Sequence, residues 1–145
     1  MKRLPFVVIL FIAFLVACVG KVSPATPAAS SQPAKVSVPG GSYTNMSAVQ
    51  LKAMLVKKDF TFVNVHIPYE GEIVTTDAFV PYNEIEKNLD KLPADKNAKI
   101  VLYCRSGRMS AIAAETMVRL GYTNVWNMEG GMIAWETLGL PLKTK

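Results

Sequence analysis

Ile100-Val101-Leu102-Tyr103-Cys104-Arg105-Ser106-Gly107-Arg108-Met109-Ser110 is the stretch on which the reading of the whole chain turns. Its first four residues are β-branched, aliphatic or aromatic, the composition of a buried strand. Ser110 reads as a helix N-cap, and residues 111–120 are rich in helix formers. Cys104 therefore falls where a strand ends, with a small polar loop before a helix. Main-chain N–H groups are unpaired at such a junction, and the positive end of the helix dipole points at it. The position suits an anionic sulfur, and Arg105 and Arg108 add positive charge beside it. The competing reading is a structural core thiol, since free cysteine is among the most buried residue types. The run Arg105, Ser106, Gly107, Arg108 that follows does not suit a core. Gly107 is expected to supply a backbone conformation or a close approach that a Cβ would block.

Working outward, strands and helices alternate. Ser47 reads as the N-cap of a helix over Ala48 to Lys57, with Leu51, Met54 and Leu55 at helical spacing. Phe60 to Val65 is a strand apolar enough for burial on both faces. His66 to Ile73 has no clear period and reads as a loop. Ala78 to Val80 is a short strand stopped by Pro81, and Glu84 to Leu89 a short helix. After the Ser110 helix, which Gly121 stops, Asn124 to Asn127 is a strand and Met132 to Leu138 a last helix. This order predicts an α/β fold of three layers, a mostly parallel sheet with helices on both faces. Ligands bind such sheets beyond the carboxyl ends of the strands, where Cys104 falls.

The Cys104-Arg105-Ser106-Gly107-Arg108 loop, with its hydrophobic strand before and Ser-Ala helix after, resembles the active-site loop of the rhodanese family. A second stretch, Glu129-Gly130-Gly131-Met132-Ile133-Ala134-Trp135, resembles the segment near the end of rhodanese domains. The resemblance runs from about Tyr43 to the C-terminus, one domain's worth of chain. It implies a rhodanese-like fold and a sulfurtransferase in which Cys104 is the catalytic residue and carries sulfur as a persulfide. Arg105, Ser106, Gly107, Arg108, Met109 and Ser110 then surround the substrate. The implied partners are a small anionic sulfur donor such as thiosulfate and an acceptor that is cyanide or a thiol, protein thiols included. No cofactor is implied. One region departs from the family. Rhodanese domains commonly show Asp-Val-Arg at the end of the strand where this chain has Asn64-Val65-His66.

The N-terminus reads separately. Lys2 and Arg3 precede an apolar run that reaches Val19 and holds Pro5, 16 residues counted from Leu4, short of the ~20 that span a bilayer. Leu15-Val16-Ala17-Cys18 resembles the lipobox of bacterial lipoproteins, which implies a signal peptide over 1–17 and lipidation at Cys18. Residues 18–42, with Pro24, Pro27, Pro33, Pro39 and many Ala and Ser, are expected to be a linker, and the domain to occupy 43–145. The expected location is extracytoplasmic, on a membrane through the lipid.

The formal charge of +5 does not mark a nucleic-acid binder. Four of the 16 Lys and Arg precede Tyr43, whereas all 11 acidic residues follow it, so the domain is one charge from neutral. Of the two cysteines, neither belongs to a Cys-x-x-Cys pair, which excludes a thioredoxin-like dithiol mechanism. The lone histidine, His66, with Glu70 and Glu72 fits no standard metal spacing, and no metal site is assigned. Cysteine-dependent phosphatases carry an arginine six residues after the nucleophile and usually a histidine before it. Here those positions are Ser110 and Tyr103, which ranks phosphoryl transfer below sulfur transfer. Two further readings stand beside the enzyme: a non-catalytic binding or sulfur-carrier module, motivated by the further departure of the chain from the family pattern between His66 and Asp77, and a redox sensor. The sensor would need an external reductant, since the domain holds no resolving cysteine.

Overall fold

The structure, a computed structural model, describes residues 32–144. The expected signal peptide over 1–17, the expected lipidation site Cys18 and the linker as far as residue 31 lie outside them.

The described residues form β1 (Ala34–Val38), β2 (Gly41–Met46), α1 (Ala48–Leu55), β3 (Thr61–Asn64), β4 (Glu72–Ile73) and β5 (Ala78–Phe79). A 3-10 segment (Ile85–Lys91) leads to β6 (Ile100–Tyr103), α2 (Arg108–Arg119), β7 (Val125–Met128), α3 (Gly131–Thr137) and β8 (Leu142–Lys143). Six strands make one sheet in the order β1-β2-β7-β6-β3-β5, and β4 pairs with β8 apart from it. All the pairings among β2, β7, β6, β3 and β5 are parallel, and β1 alone runs against its neighbour. This is the mostly parallel α/β sheet that alternation of strands and helices requires.

The central strand β6 shows why the run Ile100 to Tyr103 had to be apolar throughout. Side chains alternate across a strand, so Ile100, Leu102 and Cys104 enter one core, with Val63, Val65, Ala113, Ala114 and Met117. Val101 and Tyr103 enter the other, with Phe62, Leu51, Met132 and Trp135. Helix α2 thus covers one face, and α1 and α3 the other. Each large side chain buried this way stabilises the fold by roughly 1.5–3 kcal/mol.

Two sequence expectations change. The linker expected up to Ser42 ends earlier. Ala34 to Val38 pairs antiparallel with β2, in register from Ala34 opposite Asn45 to Val38 opposite Gly41. The alternation in Lys35-Val36-Ser37-Val38 carries this strand, because Val36 and Val38 pack against the core while Lys35 and Ser37 face water. Pro39 and Gly40 make the turn, with Gly40 at φ +93. Ser110, in turn, does not cap its helix. Gly107 holds the cap position in the left-handed region, φ +90, so the helix starts at Arg108 and Ser110 lies inside its first turn. Ser47 caps α1 as expected, in a capping box completed by the Gln50 side chain.

Candidate active site

Cys104 follows the last residue of β6, at the carboxyl edge of the parallel sheet. Its side chain is 1% exposed and belongs to the core on the α2 side. The sulfur nevertheless has polar company. The Gly107 N–H donates to Cys104 Sγ at 3.1 Å. Ser110 Oγ stands 3.5 Å from the same sulfur and 3.1 Å from the Gly107 carbonyl. One hydroxyl proton cannot serve both acceptors at once, so it can turn from the carbonyl to the sulfur as negative charge builds there. Gly107 allows the arrangement because its left-handed φ is costly for any residue with a Cβ, and a Cβ there would stand 3.0 Å from Gly130 N and 3.2 Å from Met128 O.

The loop is held from behind by the Gly130-Gly131-Met132-Ile133 stretch. Met132 N–H donates to the Cys104 carbonyl at 2.9 Å and Ile133 N–H to the Arg105 carbonyl at 3.0 Å. These amides open α3, where four N–H groups have no partner within the helix. The approach is close enough that a Cβ on Gly131 would lie 2.2 Å from Cys104 O and 2.6 Å from Arg105 C. The two glycine-bearing stretches, 25 residues apart in sequence at Cys104 and Glu129, are thus one structure: the second fixes the backbone of the first.

The sequence-predicted loop residues part company in space. Ser110 is fully buried against the sulfur, Met109 is half-buried, and Arg105, Ser106 and Arg108 are exposed. A cleft of about 350 Å³ lies on the flank of the loop, lined by Ser106, Gly107, Arg108, Asn45, Asn127 and Glu129 among others. Arg105 points elsewhere and is paired: its Nη1 is 2.7 Å from Glu70 Oε2. The same carboxylate oxygen lies 3.3 Å from Nε2 of His66, a buried imidazole with no well-formed hydrogen bond to either ring nitrogen. Glu72 faces away and pairs with Lys143 at 3.2 Å.

Sequence reasoning assigned Glu70 and Asn64 no part in the site. Asn64 is fully buried, and its two amide ends do different work. Oδ1 accepts the His66 N–H at 3.0 Å, and Nδ2 donates to the Gly71 carbonyl at 2.9 Å. A carboxylate could not make the second bond, which accounts for an amide at this position. Tyr103, next to Cys104 but on the opposite face, ties the same loop down. Its hydroxyl accepts the Ile73 N–H at 3.0 Å and meets Thr76 Oγ1 at 2.7 Å. Burial pushes the Tyr103 phenol up to about 12, against the smaller opposing effect of its hydrogen bonds. The available signal was Asn64, an amide at the end of a strand and flanked by the apolar Phe62, Val63 and Val65.

A buried cysteine at the carboxyl edge of a parallel sheet, with the Gly107 N–H and the Ser110 hydroxyl beside its sulfur, defines a class of cysteine-loop α/β domains. Residues 47–138 match the model of the rhodanese-like domain, and the chain belongs to that family. It is 34% identical over 87 residues to a protein of Allochromatium vinosum named sulfurtransferase, which covers 59% of this chain and 79% of that one. It is 32% identical over 112 residues to the tRNA uridine(34) hydroxylase of Erwinia tasmaniensis, covering 69% of this chain. The chain spans only 31% of that enzyme's length. Among solved structures, a rhodanese-related protein from Thermoplasma volcanium superposes with a TM-score of 0.59 at 28% identity, over 70% of this chain and 98% of that one. A rhodanese-like domain protein from Staphylococcus aureus gives 0.58 at 27% identity, over 70% and 97%.

Proposed function

We propose that the protein is a sulfurtransferase that moves sulfane sulfur from a donor to a thiol or cyanide acceptor through a persulfide on Cys104. The observation that carries this reading is the Gly107 N–H set 3.1 Å from the sulfur, with Ser110 behind it. The Cys104 thiolate attacks the outer sulfur of the donor. With thiosulfate, a new S–S bond forms on Cys104, the donor S–S bond breaks, and sulfite leaves with the bonding electrons. The acceptor thiolate or cyanide then attacks the outer persulfide sulfur, and the Cys104 thiolate is the leaving group. Sulfur is transferred with no external oxidant or reductant. The loop amide and the Ser110 hydroxyl stabilise negative sulfur at both stages, a role suited to fixed donors in a site sheltered from water.

The near-complete burial of Cys104 favours a second reading, a sulfur carrier or binding module that is charged by a protein and turns over small molecules slowly. One experiment separates the two. The reduced protein is incubated with thiosulfate or with an alkyl persulfide and examined by mass spectrometry, and thiocyanate is measured after cyanide is added. The enzyme reading expects one added sulfur mass on the Cys104 peptide and thiocyanate in multiple turnovers, both lost in Cys104→Ser. Loading without turnover selects the carrier, and no loading from either donor rejects sulfur transfer.

The cellular setting follows from the N-terminus. Residues 1–17 are proposed as a signal peptide, Cys18 as the lipidated residue, and the domain as extracytoplasmic and membrane-anchored. A Cys18→Ala variant that no longer partitions with membranes is the expected result. Retention of the variant on membranes would overturn it.

A further inference from the structure

Arg105 follows the nucleophile directly and is one of the two cations on the loop that an anionic donor approaches. Its guanidinium, however, is held 2.7 Å from Glu70 Oε2. Glu70 is itself placed by its loop. The main chain of that loop is pinned by Asn64 at His66 and Gly71 and by Tyr103 at Ile73. Buried His66 flanks the carboxylate at 3.3 Å. Among the described residues, the ion pairs that meet at Glu70 Oε2 come from His66 and from Arg105 in the loop after β6. Arg108, the other cation of the loop, has no ion pair within 4 Å among the described residues. Glu70 cancels Arg105, so the loop presents one net positive charge where its sequence carries two.

We propose that Glu70 is a specificity-determining residue that withdraws Arg105 from the donor, so that the site prefers a persulfide carrying at most one negative charge over dianionic thiosulfate. This rests on the sulfur-transfer reading and narrows its donor. With a persulfide R–S–SH, the Cys104 thiolate takes the terminal sulfur together with its proton. The S–S bond of the donor breaks, R–S⁻ leaves with its electrons, and nothing is oxidised or reduced overall. Selection against the dianion is electrostatic, a charge withheld rather than a shape enforced. The Glu70–Arg105 pair is half-exposed, with side-chain exposures of 40% and 51%, so its influence is modest and sensitive to salt.

The test reads charge selectivity without sulfur chemistry. Cys104 in the full chain is alkylated with iodoacetate or iodoacetamide, reagents of similar size and leaving group that differ by one negative charge. Rates are followed on the Cys104 peptide by mass spectrometry. Glu70→Gln is expected to raise the iodoacetate-to-iodoacetamide rate ratio by about three- to tenfold at low ionic strength, a gain that shrinks at ~0.5 M salt. Arg105→Gln alone leaves the Glu70 carboxylate unpaired and should lower the ratio, by about three- to tenfold at low ionic strength, and the double variant, which restores the net charge of the pair, should return to near the wild-type ratio. An unchanged ratio in Glu70→Gln overturns the proposal. So does a gain that survives in the double variant, which would show Glu70 acting without Arg105. In parallel, the wild-type thiosulfate-to-persulfide loading ratio should rise in Glu70→Gln through KM for thiosulfate. If neither donor loads Cys104 while the alkylation ratio behaves as expected, the sulfur-transfer reading fails and the charge assignment of Glu70 stands.

Discussion

Ser110 illustrates how a single side chain changes meaning between sequence and structure. At the start of a helix a serine reads as a cap, because its oxygen can accept an orphan N–H. Here the left-handed Gly107 takes the cap position, and Ser110 turns its hydroxyl inward to the Gly107 carbonyl and the Cys104 sulfur. Ser110→Ala should therefore act on chemistry more than on the helix. The rate of persulfide formation is expected to fall by about three- to tenfold, and stability by about 1 kcal/mol, the scale of one buried hydrogen bond. Stopped-flow loading and urea denaturation measure the two separately. An equal or larger loss of stability with an unchanged rate would make Ser110 structural. Asn64 makes the complementary case. Asn64→Asp places a carboxylate against the Gly71 carbonyl inside the protein, which should destabilise by about 2–4 kcal/mol. A thermal melt of this variant matching wild type would refute the assigned donor role of Nδ2.

At the scale of elements, most of the layout was legible and the contacts between elements were not. β6 falls on Ile100–Tyr103, as its run of branched and aromatic residues requires, and α1 begins at the capping serine. The alternation along Lys35-Val36-Ser37-Val38 was hidden by the prolines and alanines around it, so β1 was read as linker. The backbone setting of Cys104 was legible from its five-residue loop, because strand, glycine and helix start specify the local backbone almost without reference to the rest. What holds that loop in place was not legible, since hydrogen bonds from Met132 and Ile133 depend on where α3 docks. The same docking sets a sharp steric expectation. Gly131→Ala puts a Cβ 2.2 Å from the Cys104 carbonyl at φ +53, and should destabilise by about 3–5 kcal/mol while speeding alkylation of Cys104. Gly139→Ala, at φ +71 with nothing within 4 Å of the added carbon, carries backbone strain alone and should cost about 1–2 kcal/mol. Similar losses for the two variants would refute the clamp.

For the whole molecule, the two cores meet at one sheet, and Tyr103 on its central strand reports on the core under α1 and α3. Tyr103 is protonated in the folded state up to about 12, against an ordinary phenol value of 10.0. Above pH 10 the unfolded chain releases this proton and the folded chain keeps it, so the unfolded state binds fewer protons and stability falls as pH rises. The stabilisation relative to fully alkaline solution is intact below pH 10 and lost between 10 and about 12, on the order of 2–3 kcal/mol if this group acts alone. Tyr43 and Tyr69 are raised as well and add in the same direction. Urea denaturation from pH 9 to 12 should show the decline, and Tyr103→Phe should flatten it while lowering stability at pH 8 by about 1 kcal/mol through the lost bond to Ile73. An equally steep decline in Tyr103→Phe would assign the alkaline sensitivity elsewhere.

The direction of β1 has one more consequence. Because it runs against β2, its first residue, Ala34, stands opposite Asn45 near the strand ends from which the loops emerge. The described backbone thus enters the domain at the carboxyl edge of the sheet, on the Cys104 side, and not on the far side. A visiting protein that reaches for Cys104 must share that edge with the start of β1.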